Sequence, residues 1–411
     1  MVGRLIGFSL VAITLAGSLT AADDFAAQRE AVLALGKLTA PPTWEVVEGR
    51  SNDPNLRAIF FDALPYQGRP TKVFAWLGFP TNRTGKVPGV VLVHGGGGTA
   101  FKEWVKCWNA HGFAAISIAV EGQTDERDPA ARDRDNPSGW KRHAWAGPRR
   151  RGIYGDSDKP LKEQWMYHAV ADTILANSLL RSLPEVDANK VGVMGISWGG
   201  VIVSTVIGID DRFAFAIPTY GCGNLADAAN QYGRALGNNE LYRQVWDPMV
   251  RMHRVRVPTL WFSWPGDKHF PLDKQAVCYR AAPGPHLVAL VPGMGHGHRP
   301  AWRRPESYAF AESVVRTGKP WCQQTGVQQE GGVVRVRFRC EKPIDKAVLI
   351  FTTDTGFTGN CRWMTAPAQF KQKRNHVSVE AVLPPGTTAW FVNLHCGDLI
   401  ASSDFFETRK P

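Results

Sequence analysis

Beyond its N-terminal segment, the 411-residue chain has no apolar run approaching the roughly 20 residues that a membrane-spanning helix needs. None of its seven cysteines sits in a C-x-x-C pattern, which disfavours structural zinc and dithiol redox chemistry. Neither G-x-G-x-x-G nor G-x-x-x-x-G-K-[ST] is present, so the usual backbone cradles for nucleotide phosphates are missing. There is no internal repeat and no low-complexity tract, and an apolar content of 44% excludes collagen-like, coiled-coil and wholly disordered chains. Glycine (41) and tryptophan (15) are plentiful, which favours tight turns and aromatic surfaces over a helical bundle. Positive charge is also in surplus: 48 Lys+Arg against 37 Asp+Glu give a formal +11. Nucleic acid, a membrane surface or an acidic ligand could each answer that surplus, and its distribution has to choose among them.

The first 22 residues read as a secretory signal. Arg4 supplies the positive n-region, Leu5 to Ala16 the apolar core, and Thr20-Ala21-Ala22 the small residues for cleavage before Asp23-Asp24. The mature chain is therefore expected to be secreted or periplasmic. In such an oxidising compartment Cys107, Cys222, Cys278, Cys322, Cys340, Cys361 and Cys396 allow up to three disulfides and leave at least one thiol over. Cys340, Cys361 and Cys396 lie close in sequence, which suggests a local staple near the C-terminus.

Two extended segments, Arg57 to Phe61 and Thr71 to Leu77, flank the turn-rich Pro65-Tyr66-Gln67-Gly68. Short apolar runs then alternate with helical patterns. Strands are expected at Val90 to Val93, Ala114 to Val120, Lys190 to Met194, Phe213 to Thr219, Thr259 to Ser263 and His286 to Val291. Helices are expected at Phe101 to His111, Leu161 to Ser182, from Trp198, and at Leu272 to Ala281. This alternation implies an α/β fold with a mostly parallel sheet covered on both faces. Near Gln323 the period falls to two. Val334, Val336, Phe338 and Cys340 alternate with arginines, and Val377, Val379, Ala381 and Leu383 repeat the pattern. With Ala347 to Thr352 and Ala389 to Leu394, these segments predict a small all-β sandwich. The expected division is a signal at 1–22, a catalytic domain at 23–322 and a β-sandwich domain at 323–411.

Gly195-Ile-Ser197-Trp-Gly199 is a G-x-S-x-G pattern whose spacing alone is weakly specific. Here it follows a short apolar strand and opens a helix, the setting in which flanking glycines permit a strained nucleophile turn. Upstream, His94-Gly95-Gly96-Gly97-Gly98 ends another buried strand. Its backbone N–H groups suit half of an oxyanion hole, with Gly96 the preferred donor, Gly97 the runner-up and the N–H of Trp198 the other half. A nucleophilic serine needs a base, and the base an orienting acid. Asp267 follows the strand ending at Ser263, and His296 lies in Gly293-Met-Gly295-His296-Gly297-His298 after the next strand, so Ser, Asp and His come in the order found on this type of sheet. His298 is the rival base, Asp273 the rival acid, and His269 reads as a solvated loop residue. No carboxylate or histidine set accompanies His296 and His298 to make a metal site.

Taken together, His94-Gly-Gly, Val186-Asp187 through Gly200, Gly266-Asp267 and Gly293-Met-Gly-His296-Gly resemble the α/β-hydrolase superfamily, and within it the dienelactone-hydrolase-like and acetyl xylan esterase-like branch. The resemblance covers roughly residues 55–318. It implies a serine carboxylic ester hydrolase with an acyl-enzyme intermediate and no cofactor. The chain departs from dienelactone hydrolases in carrying Ser197 where their nucleophile is cysteine, which favours ordinary ester cleavage. A prolyl-oligopeptidase-type peptidase shares the triad order, but the region before residue 80 is too short for the propeller that usually accompanies it. A polysaccharide-binding envelope protein with a vestigial hydrolase fold is a further alternative.

The segment from Glu121 to Lys159 is an insertion expected to rise over the carboxyl edge of the sheet. Its first part is acidic, while Lys141, Arg142, Arg149, Arg150 and Arg151 make its second part densely basic beside Trp140 and Trp145. It is expected to contact substrate, an esterified carbohydrate bearing anionic groups, through Arg149, Arg150 and Arg151, with Trp140, Trp145 and Trp264 stacking on sugar rings. The competing reading is that the segment pairs with its own acids. Export, interleaved acids and the lack of a basic recognition motif speak against nucleic acid as a partner.

Overall fold

The computed structural model describes residues 21–408. The expected export signal therefore lies almost wholly outside the described residues, and Ala21 and Ala22 open the helix Ala21–Leu33. No helix among the described residues is long and apolar enough to cross a membrane.

Strands β1 (Trp44–Val46), β2 (Leu56–Tyr66) and β3 (Arg69–Gly78) form an antiparallel edge. Gln67 and Gly68 both have positive φ, 50° and 73°, as a two-residue hairpin turn that follows the strand twist requires. The buried strands follow: β4 (Val87–Val93) and β5 (Ala114–Ile118). Within the insertion, β6 (Gln123–Arg127) and β7 (Trp140–Arg142) pair as a separate hairpin. Next come β8 (Val186–Ile196), β9 (Ala216–Thr219), β10 (Thr259–Ser263) and β11 (His286–Leu290). The sheet runs β1-β2-β3-β5-β4-β8-β9-β10-β11, with every neighbouring pair from β5 to β11 parallel. Val90 to Val93 and Val191 have no exposed surface, because helices cover both faces. The chain leaves β4 toward β5 on one side and reaches β8 on the other. The loops after β4 and β8 thus open at a switch point, where strand ends leave a crevice.

The C-terminal strands are β12 (Cys322–Glu330), β13 (Val333–Cys340), β14 (Lys346–Thr352), β15 (Met364–Pro367), β16 (Gln369–Lys373), β17 (His376–Val382), β18 (Ala389–Cys396) and β19 (Leu399–Ser402). One layer is the sheet β12-β13-β17-β16. The other layer is not a sheet of its own: β19-β18-β14-β15 continues the central sheet beyond β11, with Val288 opposite Ser402. The physical reason is the open ladder of β11, an edge that this strand closes. The Leu290 N–H donates to Ser402 Oγ at 2.8 Å, and Asn393 Nδ2 donates to the Leu290 carbonyl at 3.0 Å.

The cysteine cluster also differs from expectation. Strand pairing sets Cys322 opposite Cys340, and Cys396 joins them, while the Cys361 thiol donates to the Phe357 carbonyl at 3.5 Å.

Candidate active site

Ser197 sits between β8 and the helix Trp198–Val206 with φ 59° and ψ −117°, a conformation that costs a β-carbon-bearing residue on the order of 1–3 kcal/mol. The glycines on either side are demanded by close approach. A Cβ on Gly195 would lie 2.0 Å from the Gly199 carbonyl oxygen, and one on Gly199 would lie 2.0 Å from that of Val93. The strained turn lifts Ser197 Oγ toward His296 Nε2 at 3.0 Å. His296 Nδ1 faces Asp267 Oδ2 at 2.9 Å. Asp267 is buried, and its other oxygen accepts the N–H groups of His269 (2.8 Å) and Phe270 (3.0 Å), so the carboxylate is held from both ends. Tyr220 and Phe270 flank the His296 ring at 4.4 and 6.0 Å, and the Tyr220 hydroxyl donates to the Gly295 carbonyl at 2.7 Å.

The rival residues have other tasks. His298 Nε2 accepts the Gly95 N–H at 2.9 Å, so its proton resides on Nδ1 and it props the glycine loop. Burial pushes its pKa down to about 3, with His94 and His296 adding repulsion. Asp273 pairs with Lys274 at 3.3 Å, in the first turn of the helix Leu272–Ala281. His269 is exposed at one side, but its ring lies 4.7 Å from that of His296 and its Nδ1 meets Gln231 Nε2 at 2.8 Å.

The glycine loop abuts the serine turn. A Cβ on Gly96 would sit 3.2 Å from Cδ1 of Trp198, which brings Gly96 beside the first residue of the helix, whose N–H has no carbonyl one turn earlier to bond. Gly97 has φ 69°, and its carbonyl accepts from Ser138 Oγ (2.7 Å) and Trp140 Nε1 (2.9 Å). Beneath the loop, buried His94 donates from Nδ1 to the Gly95 carbonyl at 2.7 Å and accepts the Val120 N–H on Nε2. Gln123 Nε2 bridges His94 Nε2 and the Gly98 carbonyl, both at 3.0 Å. Burial lowers the His94 pKa to about 4, so the ring stays neutral and its tautomer fixed. Gln123, Tyr220 and Phe270 escape sequence reasoning because a lone glutamine or aromatic carries no motif.

Of the expected substrate contacts, only Arg150 reaches the reaction centre. Its guanidinium lies over the Trp198 ring at 5.2 Å, and Nη2 would touch a Gly96 Cβ at 3.2 Å. Glu121, whose own carboxyl is pushed up by burial, meets Arg150 Nε at 3.3 Å. Arg149 is spent on Asp133 at 2.6 Å, and Lys141 meets Glu126 at 3.4 Å, so both are held by the insertion's own acids. Arg151 points to solvent. Trp140 is buried, bonded to Gly97 and capped by Arg127 at 4.4 Å, which leaves no face for a sugar. Trp145 packs edge-on against Phe60 of β2 at 5.5 Å. That is four strands from β8, about 19 Å at the usual strand spacing. Trp264 folds over Gly266 beneath the Asp267 loop.

A C-terminal segment supports that loop. Within the short turn Thr358–Asn360, Thr358 Oγ1 accepts the Leu272 N–H at 3.1 Å, and the Gly359 Cα abuts the Asp267 carbonyl so closely that a Cβ would lie 2.4 Å from the oxygen.

The sequence profile of the acetyl xylan esterase (AXE1) family matches residues 20–227, just over half of the chain, and that of the prolyl oligopeptidase family matches residues 151–311. The solved acetyl xylan esterase from Paenibacillus sp. R4 superposes with a TM-score of 0.54 at 21% identity, over 73% of this chain and 95% of that one. Acetyl xylan esterase 1 from Thermoanaerobacterium sp. JW/SL YS485 does so with a TM-score of 0.52 at 19% identity, over 69% and 91%. These structures share the fold. With the family profile they place this chain in the acetyl xylan esterase family of the α/β-hydrolases, as a carboxylic ester hydrolase.

Proposed function

We propose that the chain is an exported serine esterase that removes acetyl or similar acyl groups from carbohydrate through an acyl-enzyme intermediate. The observation that carries this reading is the hydrogen-bonded line Ser197–His296–Asp267 on a strained turn beside the glycine loop. In the first step His296 Nε2 takes the Ser197 proton as Oγ attacks the ester carbonyl, while Asp267 holds the ring and stabilises the imidazolium. The N–H groups of Gly96, or alternatively Gly97, and Trp198 receive the oxyanion, a contact worth on the order of 3 kcal/mol per donor. His296 then protonates the leaving sugar alkoxide, and water repeats the cycle on the acyl-enzyme. Neither step requires a cofactor.

Ser197→Ala should abolish acetate release from acetylated xylan and turnover of a chromogenic acetate; retained turnover would refute the assignment. The prolyl oligopeptidase profile over 151–311 gives a peptidase reading one supporting observation, and an aminoacyl amide assayed beside the acetate separates the two. Export predicts a mature N-terminus near Asp23, readable by mass spectrometry of the secreted protein.

A further inference from the structure

With Lys141, Arg149 and Arg150 of the insertion paired to its own acids, a further set of uncommitted cations lies on the outer face of the sheet β12-β13-β17-β16. The period-two pattern buries Val334, Val336 and Phe338 and turns Arg335, Arg337 and Arg339 outward. Register aligns these with like neighbours. Arg337 stands opposite Ser378, which stands opposite Lys371; Arg339 stands opposite His376, which stands opposite Lys373. Arg335 is neutralised by Glu380 at 2.8 Å and Glu330 at 3.5 Å. Arg337, Arg339, Lys371 and Lys373 have no ion pair among the described residues.

Charges on edge strands guard against aggregation, which accounts for the lysines of β16. It does not account for Arg337 and Arg339, because β13 is an interior strand. Side chains two residues apart on a strand are separated by about 7 Å and those two strands apart by about 10 Å, so these cations repel one another within a Debye length. An anion laid across them relieves that repulsion. The surface is also shaped: Gly326, at a bulge opposite Arg337, leaves the β12 position without a side chain, and the Arg337 guanidinium lies over it. A groove of about 530 Å³ on the same face is lined by polar groups of Gln328, Arg337, Gln369, Lys371, Ser378 and Glu380 together with Arg335 and the apolar Val336, Phe370 and Val379. Amides and a hydroxyl among the cations suit sugar hydroxyls. Val382 is the sole large apolar side chain well exposed on this sheet, too little for insertion into a bilayer.

We propose that this face docks an acidic polysaccharide, a carbohydrate chain bearing carboxylates, and tethers the esterase to it. The choice of a polysaccharide rests on the esterase reading above; the cationic face does not. The test uses the full chain carrying Ser197→Ala, measuring retention on glucuronoxylan and on the same polymer after carboxyl reduction. Retention of the carboxylate form should be about tenfold stronger at low salt and fade as salt is raised. Arg337→Gln with Lys371→Gln should remove that difference, while Arg337→Lys with Lys371→Arg should keep it and show that the sheet tolerates substitution. Equal retention of both polymers, an unaffected Gln variant, or preference for phosphatidylglycerol vesicles would overturn the proposal. Acetate release from neutral acetylated xylan by the unsubstituted enzyme reads the active site alone. Lost docking with intact release therefore overturns only the face, and the converse overturns only the esterase.

Discussion

Gly359→Ala tests whether the C-terminal strands hold Asp267, the acid of the proposed triad, in place. No positive φ constrains residue 359, so alanine can adopt its backbone conformation, and the effect comes from contact alone. The new methyl would lie 2.4 Å from the Asp267 carbonyl oxygen and 2.7 Å from Cε1 of Phe357, where ordinary contact begins at 3.4 Å. The Asp267 loop or the Thr358–Asn360 turn must therefore withdraw by about 1 Å, and overpacking of this kind costs about 1–3 kcal/mol of stability. The same displacement is passed to Oδ2, which holds His296 Nδ1 at 2.9 Å. Misplacing a reacting group by that much lowers the rate about 100-fold.

The expected result with a chromogenic acetate is a 10- to 100-fold fall in kcat, to order of magnitude, with KM little changed and the chain still folded. Thr358→Val is the matched control. It removes the acceptor of the Leu272 N–H, should destabilise by about 1 kcal/mol, and should leave kcat nearly intact, because helix capping does not move Asp267. A Gly359→Ala enzyme with wild-type kcat, or one whose activity falls only in step with its thermal stability, would refute the reasoning.

His298→Ala strips the Gly95 N–H of its acceptor, at a cost of about 1–3 kcal/mol, and should lower kcat while leaving the shape of the pH–rate profile unchanged; loss of the rising limb would instead make His298 the base. Asp172 is buried in the helix Trp165–Ser182 with Oδ1 unbonded and its carboxyl pushed well above the usual range by desolvation. A raised carboxyl pKa opposes folding once the pH exceeds the unfolded value, so Asp172→Asn should raise Tm at pH 7 and gain less near pH 4. His94 and His298 give the opposite slope: their folded pKa values, about 4 and about 3, lie below the unfolded value, so the unfolded chain binds protons first as pH falls. Stability should drop by about 2 kcal/mol per pH unit from the pair between roughly pH 6 and 4, a loss that denaturant titration would read and that a flat profile would contradict.

Local chemistry was legible in the sequence wherever one short segment carries the whole requirement. Gly195, Ser197 and Gly199 announce a strained turn because the strain and its relief sit within five residues, and Asp267 and His296 follow strands whose apolar runs mark them. The basic stretch from Lys141 to Arg151 left substrate contact and self-pairing both open, because the acids that meet it are distant in sequence: Asp133 lies 16 residues before Arg149, and Glu121 lies 29 before Arg150. Composition also cannot tell a tryptophan that offers a face from one that is walled in, as Trp140 is.

The C-terminal strands, by contrast, held a signal that the period-two reading passed over. Strands β13 and β17 alternate, as half-buried strands do, whereas Ala347 to Thr352 and Ala389 to Leu394 are nearly continuous apolar runs, the pattern of strands covered on both faces. A free-standing sandwich leaves each sheet one wet face and has no place for such runs. Extension of the central sheet supplies it, through β19 on β11. A fragment from residue 323 onward should therefore expose the β19 ladder and aggregate or stay unfolded. The coupling of Gly359 to Asp267 has the same origin: strands built into the catalytic sheet bring their connecting turns to the rim where its loops gather. A soluble, cooperatively unfolding fragment would show that the shared sheet is incidental and would weaken both arguments together.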